Sequence, residues 1–273
     1  MYSRPVDMHV HTDDSPDAEI PASVLAERGR KQGLAGIGFV AHVDMNPDDY
    51  CYGYFSPEGY RASMTRARKE AGDSLRILAG LEVGEPHRYQ AKVQQLVDYD
   101  DYDFITGALH HIGSIGMILG KEPFLESADP LSIVEEYYRI TLKLVSGSDM
   151  DILAHMGLFR RGMALAGLNS GLDEVELWPE LIREILSVLI DRGIALELNT
   201  SGLRREEKVT YPTVRVLSLY REMGGELVTL GSDSHRDPHI FFGLNRGMEI
   251  LTLLNFSRAF FFHRREPKSY RLV

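Results

Sequence analysis

Residues 6–11 read VDMHVH, a short apolar run that ends in two histidines. Side chains two residues apart on an extended strand point to the same side. His9 and His11 therefore face one side of any strand that this stretch forms. The stretch predicts a strand that carries a pair of imidazoles at its carboxyl end.

The same pattern recurs along the chain, where short apolar runs end in a histidine or a carboxylate. These runs are GIGFVAH (36–42), RILAGLE (76–82), FITGALH (104–110), DILAH (151–155) and LVTLGSDSH (227–235). Such runs are typical of parallel strands that are buried on both faces. The predicted strands are Val6–His9, Gly36–Ala41, Arg76–Val83, Asp103–Leu109, Asp151–Ala154, Ile194–Leu198, Leu227–Leu230 and Ala259–Phe262.

Amphipathic segments between these runs predict helices over Ser56–Ala71, Leu131–Ser146, Asp173–Asp191 and Thr213–Met223. Ser56-Pro57 is a cap followed by proline at the first helical position, and Gly193 lies where a helix would end. Seven or eight β/α repeats predict an α/β fold, a parallel barrel formed by residues 1–273 as one domain. An open doubly wound sheet is the alternative, but no Gly-x-Gly-x-x-Gly follows the first strand.

Composition limits the possible partners. The net charge of -10 argues against broad nucleic-acid binding, which depends on a basic surface. The single cysteine, Cys51, rules out an internal disulfide and fits a reducing compartment. The first residues have no apolar signal core, and no stretch approaches the roughly 20 apolar residues of a membrane span. We therefore expect a cytoplasmic protein with no membrane or nucleic-acid partner.

In a parallel barrel the carboxyl ends of the strands share one face, so the residues that end these runs should converge there. A single histidine after a strand is usually structural, but six strand ends with metal-competent side chains favour a metal site. The candidates exceed what one ion needs, which predicts two or three divalent ions of zinc, manganese or iron. Carboxylates such as Glu82 would bridge them.

The strand ends and the loops after them form a series of motifs: DMHVHTDDSPDA (7–18), FVAHVD (39–44), GLEVGE (80–85), TGALHHIG (106–113), LAHMGLFRR (153–161), ALELNTSGLR (195–204) and VTLGSDSHR (228–236). In these motifs the chain resembles the polymerase-and-histidinol-phosphatase (PHP) superfamily, most closely its monofunctional histidinol-phosphatase branch. The resemblance implies a distorted (β/α)7 barrel with a trinuclear metal site. It implies that two ions are held by His9, His11, Glu82, His110 and Asp233, with the set completed by His42, His155, Asp17 and His235.

Phosphatase chemistry needs cations beyond the metals, and arginine matches phosphate oxygens well. Two arginine pairs, Arg160-Arg161 and Arg204-Arg205, follow strands on the expected active face. The resemblance assigns one arginine of each pair to phosphate, and we predict Arg160, also as a catalytic residue, and Arg204. We expect their neighbours, Arg161 and Arg205, to face solvent.

Other residues on this face have predicted roles beside the substrate. Asn199 would orient the substrate, Glu197 would bind an amine or a histidine, and His111 would face the substrate or support a ligand. Asp233 is a candidate catalytic residue. The proton for the leaving alkoxide would come from His235 or from a metal-bound water. The loop with Tyr50, Tyr52, Tyr54 and Phe55 would cover a flat ring such as imidazole, with Cys51 as packing.

The expected activity is hydrolysis of L-histidinol phosphate to L-histidinol and phosphate in histidine biosynthesis. The first alternative keeps the fold and changes the substrate to a phosphotyrosyl protein, a sugar phosphate or a nucleotide end. A second alternative is a non-catalytic module that keeps the barrel as a scaffold. It fits poorly, because every ligand position of the motifs is filled.

Overall fold

The computed structural model describes residues 4–272. Its strands are β1 (Val6–Val10), β2 (Gly36–Val43), β3 (Arg76–Gly84), β4 (Phe104–Ala108), β5 (His111–Ile112), β6 (Gly116–Met117), β7 (Ile152–Leu153), β8 (Ala195–Asn199), β9 (Val228–Gly231), β10 (Arg258–His263) and β11 (Glu266–Arg271). Its helices are α1 (Ala22–Gln32), α2 (Pro57–Ala71), α3 (Pro86–Leu96), α4 (Glu122–Glu126), α5 (Pro130–Gly147), α6 (Phe159–Leu165), α7 (Glu174–Leu177), α8 (Pro179–Arg192), α9 (Val214–Glu222) and α10 (Leu244–Leu253).

The main sheet has the strand order β1-β2-β3-β4-β7-β8-β9-β10-β11, and β5 and β6 form a separate hairpin. All neighbours in the main sheet are parallel except β10 and β11. The peptide nitrogen of His11 donates to the Ser234 carbonyl at 2.9 Å, and that of Asp233 donates to the His9 carbonyl at 2.8 Å. These bonds join the first and seventh parallel strands at their carboxyl ends. The predicted distorted seven-stranded α/β barrel is confirmed.

The barrel is incompletely closed at the end opposite to the carboxyl ends of its strands. There β10 pairs with β9 and carries β11 as an antiparallel partner. Side chains from the barrel strands and from this hairpin form one buried cluster there: Val6, Met8, Val40, Leu78, Phe104, Ile152, Ala195, Phe261 and Phe262. The Phe104 ring needs a glycine on β3, since a Cβ atom on Gly80 would lie 2.3 Å from it. The interior is therefore a packed core beneath the carboxyl-end face.

The helix caps follow the sequence. The Ser56 hydroxyl accepts a hydrogen bond from the Gly59 peptide nitrogen at 3.2 Å, and Pro57 is the first residue of α2. Gly193 ends α8 in the left-handed conformation, with a φ of 65°. The single helix predicted over Asp173–Asp191 is wrong, because the chain forms α7 and α8 there. Trp178 precedes Pro179, which disfavours the helical conformation at Trp178 and separates the two helices.

Within residues 4–272, no helix combines the length and the apolar character needed to cross a membrane.

Replacing Phe104 by alanine should lower the free energy of unfolding by about 3–5 kcal/mol, because a fully buried ring is lost from the barrel interior. Urea denaturation monitored by circular dichroism measures the change. Leu253→Ala is the control, since Leu253 is 74% exposed and its loss should change stability by less than about 0.5 kcal/mol. A Phe104→Ala loss no larger than the control loss would contradict a packed interior.

Candidate metal centre

Glu82, near the end of β3, lies among the imidazoles of the neighbouring strands. Its carboxylate approaches His155 Nε2 at 2.8 Å, His11 Nε2 at 3.2 Å and His42 Nδ1 at 3.3 Å. His9 Nε2 and His110 Nε2 each lie 3.5 Å away. The in-register pairing of β2, β3 and β4 explains part of this convergence, because His42 is paired with Glu82. All six side chains are buried.

A second group surrounds Asp17, which lies in the loop after β1. Asp17 Oδ2 is 2.9 Å from His235 Nε2 and 3.7 Å from His42 Nε2. The His11 ring stacks between those of His42 and His235, with centroid separations of 4.4 and 4.0 Å. Asp233 connects the two groups, with its carboxylate 3.9 Å from both His9 and His11 and 3.4 Å from His235. The nine side chains predicted as metal ligands therefore lie together on one face.

Several observations fit these side chains to divalent cations. His9 Nε2 and His11 Nε2 face each other at 3.2 Å. Two nitrogen ligands of one tetrahedral ion, each at about 2.0–2.1 Å, are separated by about 3.3 Å. Within residues 4–272, the buried atoms Glu82 Oε2, Asp17 Oδ1 and His155 Nδ1 have no hydrogen-bond partner. Three sets bring their ligand atoms within 4.8 Å of one another: His11 with Asp17, His42 and His235; His9 with His11 and Asp233; and His9 with Glu82 and His155.

The electrostatics of the cluster favour ionised acids beside imidazoles. Burial would raise the pKa of Glu82, but His9 and His42 outweigh it and hold that pKa well below its ordinary value. Burial likewise opposes ionisation of Asp233, and the surrounding histidines, His9 first, lower its pKa. Burial and the neighbouring His235 and His42 lower the pKa of His11 to about 3. A neutral His11 has a free nitrogen lone pair, which is the form that binds a metal.

Two residues of the cluster have an unusual backbone conformation. His155 has a φ of 28° and Asp233 a φ of 53°, in the left-handed region that non-glycine residues rarely adopt. Such conformations persist only where the surrounding structure holds them, and they are frequent at functional sites. The backbone at both strand ends is thus strained where it presents a cluster side chain.

Glu197 and Asn199, predicted to bind the substrate, lie behind the histidines. Glu197 Oε1 accepts the Nδ1 proton of His9 at 2.8 Å, and its Oε2 accepts from the His155 peptide nitrogen at 2.7 Å. The side-chain amide of Asn199 donates to Glu197 at 3.1 Å. Both are fully buried, so of the two roles considered for Glu197 the contacts favour the bond to a histidine. Asn199 supports Glu197 and does not contact the pocket.

His111 is turned away from the cluster. Its Nε2 lies 2.9 Å from Asp49 Oδ2, and its peptide nitrogen donates to Glu85 at 2.9 Å. The side chain is 5% exposed. These contacts fit a supporting role better than the predicted contact with a substrate.

Within each arginine pair, the neighbour of the predicted phosphate ligand is the residue that lines the pocket. Arg160 is 1% exposed, and its guanidinium donates to Glu174 and to the carbonyls of Ser170 and Leu172. Both of its terminal nitrogens are engaged inside the protein, whereas Arg161, which we expected to face solvent, lines the pocket above the cluster.

Arg204 donates to the carbonyls of Ser232 and Asp233, each at 2.7 Å, and so braces the β9 end. Its neighbour Arg205 lines the pocket. Burial and the nearby Arg205 lower the pKa of Arg161. Two guanidinium groups that repel each other therefore face the space in front of the cluster.

The rest of the pocket wall comes from the loop after β2 and from the β5–β6 hairpin region. Besides cluster residues and the two arginines, the lining consists of Asp49, Tyr50, Cys51, Met117, Leu119 and Leu158. The Tyr50 hydroxyl donates to Asp17 at 2.9 Å. Tyr52 and Tyr54 are exposed, while the predicted packing role of Cys51 agrees with its 2% exposure.

Sequence reasoning did not find Asp44, Asp49 and Glu85. Asp44 is 3% exposed and contacts His42, and Glu85 accepts from the peptide nitrogens of His110 and His111. Burial opposes ionisation of Asp44, but His110 and His42 outweigh it and lower its pKa to about 2. Asp44 could have been found, since His42 and Asp44 have the same two-residue spacing as His9 and His11.

Comparisons with known proteins find relatives that cover most of the chain. A histidinol-phosphatase of Lactococcus lactis is 28% identical over 238 residues, 84% of each chain. A probable histidinol-phosphatase of Clostridium acetobutylicum is 26% identical over 256 residues, 93% of this chain and 96% of that one. The crystal structure of histidinol phosphate phosphatase from Lactococcus lactis, complexed with zinc, L-histidinol and phosphate, superposes with a TM-score of 0.83. That match is 22% identical and covers 97% of this chain and 99% of the other, and it supports the fold.

The family comparison covers most of the chain. Residues 7–201 match the PHP domain, a range that includes the β1 histidines, Glu82 and the strand ends up to β8. The match ends before Asp233 and His235, but the hydrogen bonds between β1 and the β9 end bring these two residues into the same cluster. The chain belongs to the PHP-domain family.

Proposed function

We propose that this protein is a metal-dependent phosphomonoesterase that hydrolyses L-histidinol phosphate to L-histidinol and phosphate. The observation that carries the proposal is a buried cluster of imidazoles and carboxylates that faces a pocket lined by two arginines. The Lactococcus lactis histidinol-phosphatase and the probable histidinol-phosphatase of Clostridium acetobutylicum align over 84% and 96% of their own length. A structure of one such phosphatase holds zinc, L-histidinol and phosphate.

We propose two or three divalent ions of zinc, manganese or iron as cofactors. Their ligands would be His9, His11, Asp17, His42, Glu82, His110, His155, Asp233 and His235. Such ions, when bound, lower the pKa of coordinated water and neutralise charge on phosphate oxygens. Glu82 would serve more than one ion, because its two oxygens face imidazoles from different strand ends, His11 and His155.

His235 fits the ligand role better than the proton-donor role. Its Nδ1 donates to the Asp233 carbonyl at 3.1 Å, and its Nε2 faces Asp17 at 2.9 Å. The neutral ring then carries its proton on Nδ1, where the backbone accepts it, and leaves the Nε2 lone pair for a cation. Asp233, whose pKa is held low and which lines the pocket, is the proposed catalytic carboxylate.

Arg161 and Arg205 are the proposed phosphate ligands. A phosphate dianion between the two guanidinium groups would relieve their mutual repulsion and accept hydrogen bonds from both. The leaving group would extend toward Tyr50, Met117 and Leu119, which form the less charged side of the pocket. Binding through the phosphate end orients the phosphorus atom toward the cluster.

We propose that the whole chain acts as one barrel domain, because its main sheet draws strands from Val6–Val10 through Glu266–Arg271. Its partner would be a small phosphate monoester. We propose a cytoplasmic location, since Cys51 is a free thiol and a free thiol fits a reducing compartment.

Release of inorganic phosphate from L-histidinol phosphate tests the proposal directly. We expect a kcat/KM above about 10⁴ M⁻¹s⁻¹, in the normal range for a native substrate. Prolonged chelation should abolish the activity, and zinc, manganese or iron should restore it. Turnover that survives thorough metal removal would contradict the metal site. Metal-dependent turnover of a phosphotyrosyl peptide or a sugar phosphate, but not of L-histidinol phosphate, would retain the site and change the substrate.

Replacing Arg161 or Arg205 by alanine should lower kcat/KM for L-histidinol phosphate by about 10–100-fold, because each change removes a charge-assisted hydrogen bond to phosphate. Steady-state phosphate release on the metal-loaded variants measures this. Arg246→Ala is the matched control, since Arg246 is exposed and pairs with Glu249 on α10.

Arg160→Ala should instead lower stability, by about 3–5 kcal/mol, because it leaves the buried Glu174 carboxylate without its partner.

Full activity of both Arg161→Ala and Arg205→Ala would rule out the phosphate site proposed between these two arginines.

A further inference from the structure

Asp44 is a buried carboxylate that the proposed reaction does not use. It follows β2 directly, and its two oxygens face two different histidines of the cluster. Oδ2 lies 3.3 Å from His42 Nδ1, and Oδ1 lies 3.8 Å from His110 Nδ1. Neither oxygen has a hydrogen-bond partner within residues 4–272. A buried carboxylate needs hydrogen-bond donors to offset its desolvation, and the two imidazoles face its oxygens.

The neighbouring strand β3 leaves room for the Asp44 carboxylate. A Cβ atom on Gly84, at the end of β3, would lie 1.9 Å from Asp44 Oδ1. The same arrangement occurs behind His9, where a Cβ atom on Gly231 would lie 2.0 Å from Glu197 Oε1. In both places a strand glycine makes space for an acid that lies beside the Nδ1 atom of a cluster histidine.

We propose that Asp44 is a positioning residue of the metal centre, which accepts the Nδ1 protons of His42 and His110. This inference rests on the proposed function. With the protons held on Nδ1, both Nε2 atoms keep their lone pairs for cations. The positions of the Nε2 atoms agree, because His110 Nε2 points to Glu82 at 3.5 Å and His42 Nε2 points to Asp17 at 3.7 Å. Glu82 Oε2 lies as close to His42 Nδ1 as Asp44 Oδ2 does, at 3.3 Å, so Asp44 shares the His42 Nδ1 proton with Glu82.

A competing role for Asp44 is direct ligation. Asp44 brings potential ligand atoms within 4.8 Å of His42 and Cys51, and also of Asp49 and His110. The positioning role is favoured because the two carboxylate oxygens divide between two Nδ1 atoms.

Asparagine in place of Asp44 should be a sharp probe, because it preserves size and removes one acceptor. An amide has one acceptor oxygen and one donor nitrogen, so it can accept from only one of the two Nδ1–H groups. Its NH2 group would face the second imidazole and favour the tautomer that is protonated on Nε2. That tautomer cannot present Nε2 to a cation.

The experiment measures zinc affinity and stoichiometry of the full chain, by competition with a chromophoric chelator and by elemental analysis. Asp44→Asn and Gly84→Ala should each weaken at least one zinc site by about 10–100-fold, the usual loss when a carboxylate behind a ligating histidine is removed. Gly84→Ala leaves the Asp44 carboxylate in the chain but displaces it. Visible absorption of the cobalt-substituted proteins reports a changed ligand geometry independently of turnover.

Two controls define the outcome. Asp151→Asn removes a buried carboxylate that binds Arg265 and the Ile105 peptide nitrogen, and it should lower the melting temperature without changing zinc affinity. Cys51→Ser should also leave the affinity unchanged. A parallel loss of zinc affinity in Asp44→Asn and in either Cys51→Ser or Asp49→Asn would indicate direct ligation and overturn the positioning role. Wild-type zinc affinity in Asp44→Asn would overturn this inference alone, whereas a wild-type chain that binds no divalent metal would overturn the proposed function as well.

Discussion

The fold depends on mutual neutralisation between buried carboxylates and imidazoles at the carboxyl ends of the strands. Removing an isolated charge from water costs several kcal/mol, so Glu82 could not remain ionised in this position without its histidine neighbours. The hydrogen bonds that close the barrel involve the same residues, since the Asp233 peptide nitrogen donates to the His9 carbonyl. Barrel closure and assembly of the cluster are therefore one structural event.

The other end of the barrel provides the rigidity that this arrangement requires. Phe104 and its neighbours fill the interior, and the β10–β11 hairpin is held there by ion pairs from Arg265 to Asp149 and Asp151. Strained backbone at His155 and Asp233 persists only if the surrounding packing does not relax. Stability is thus concentrated beneath the face that carries the site, which is the usual division in parallel barrels.

The sequence predicted the part of the structure that depends on local periodicity. Short apolar runs placed the strands, and the side chain that ended each run placed His42, Glu82 and His155 on one face. Periodicity could not choose between Arg160 and Arg161, because that choice depends on the orientation of α6 and on Glu174, which follows after a loop. Asp44 was overlooked for a different reason, since its role depends on space left by Gly84 on a neighbouring strand.

Charge also couples substrate binding to metal loading. Asp17, Asp49, Glu82 and Asp233 line the pocket, against the two guanidinium groups of Arg161 and Arg205. Without metal ions, these acids also face the imidazoles of His42 and His110, whose pKa values are raised well above the ordinary value because neighbouring carboxylates outweigh burial. Divalent ions at the cluster take the place of these protons and add positive charge. Metal and phosphate should therefore each raise the affinity for the other, as thermodynamic linkage requires.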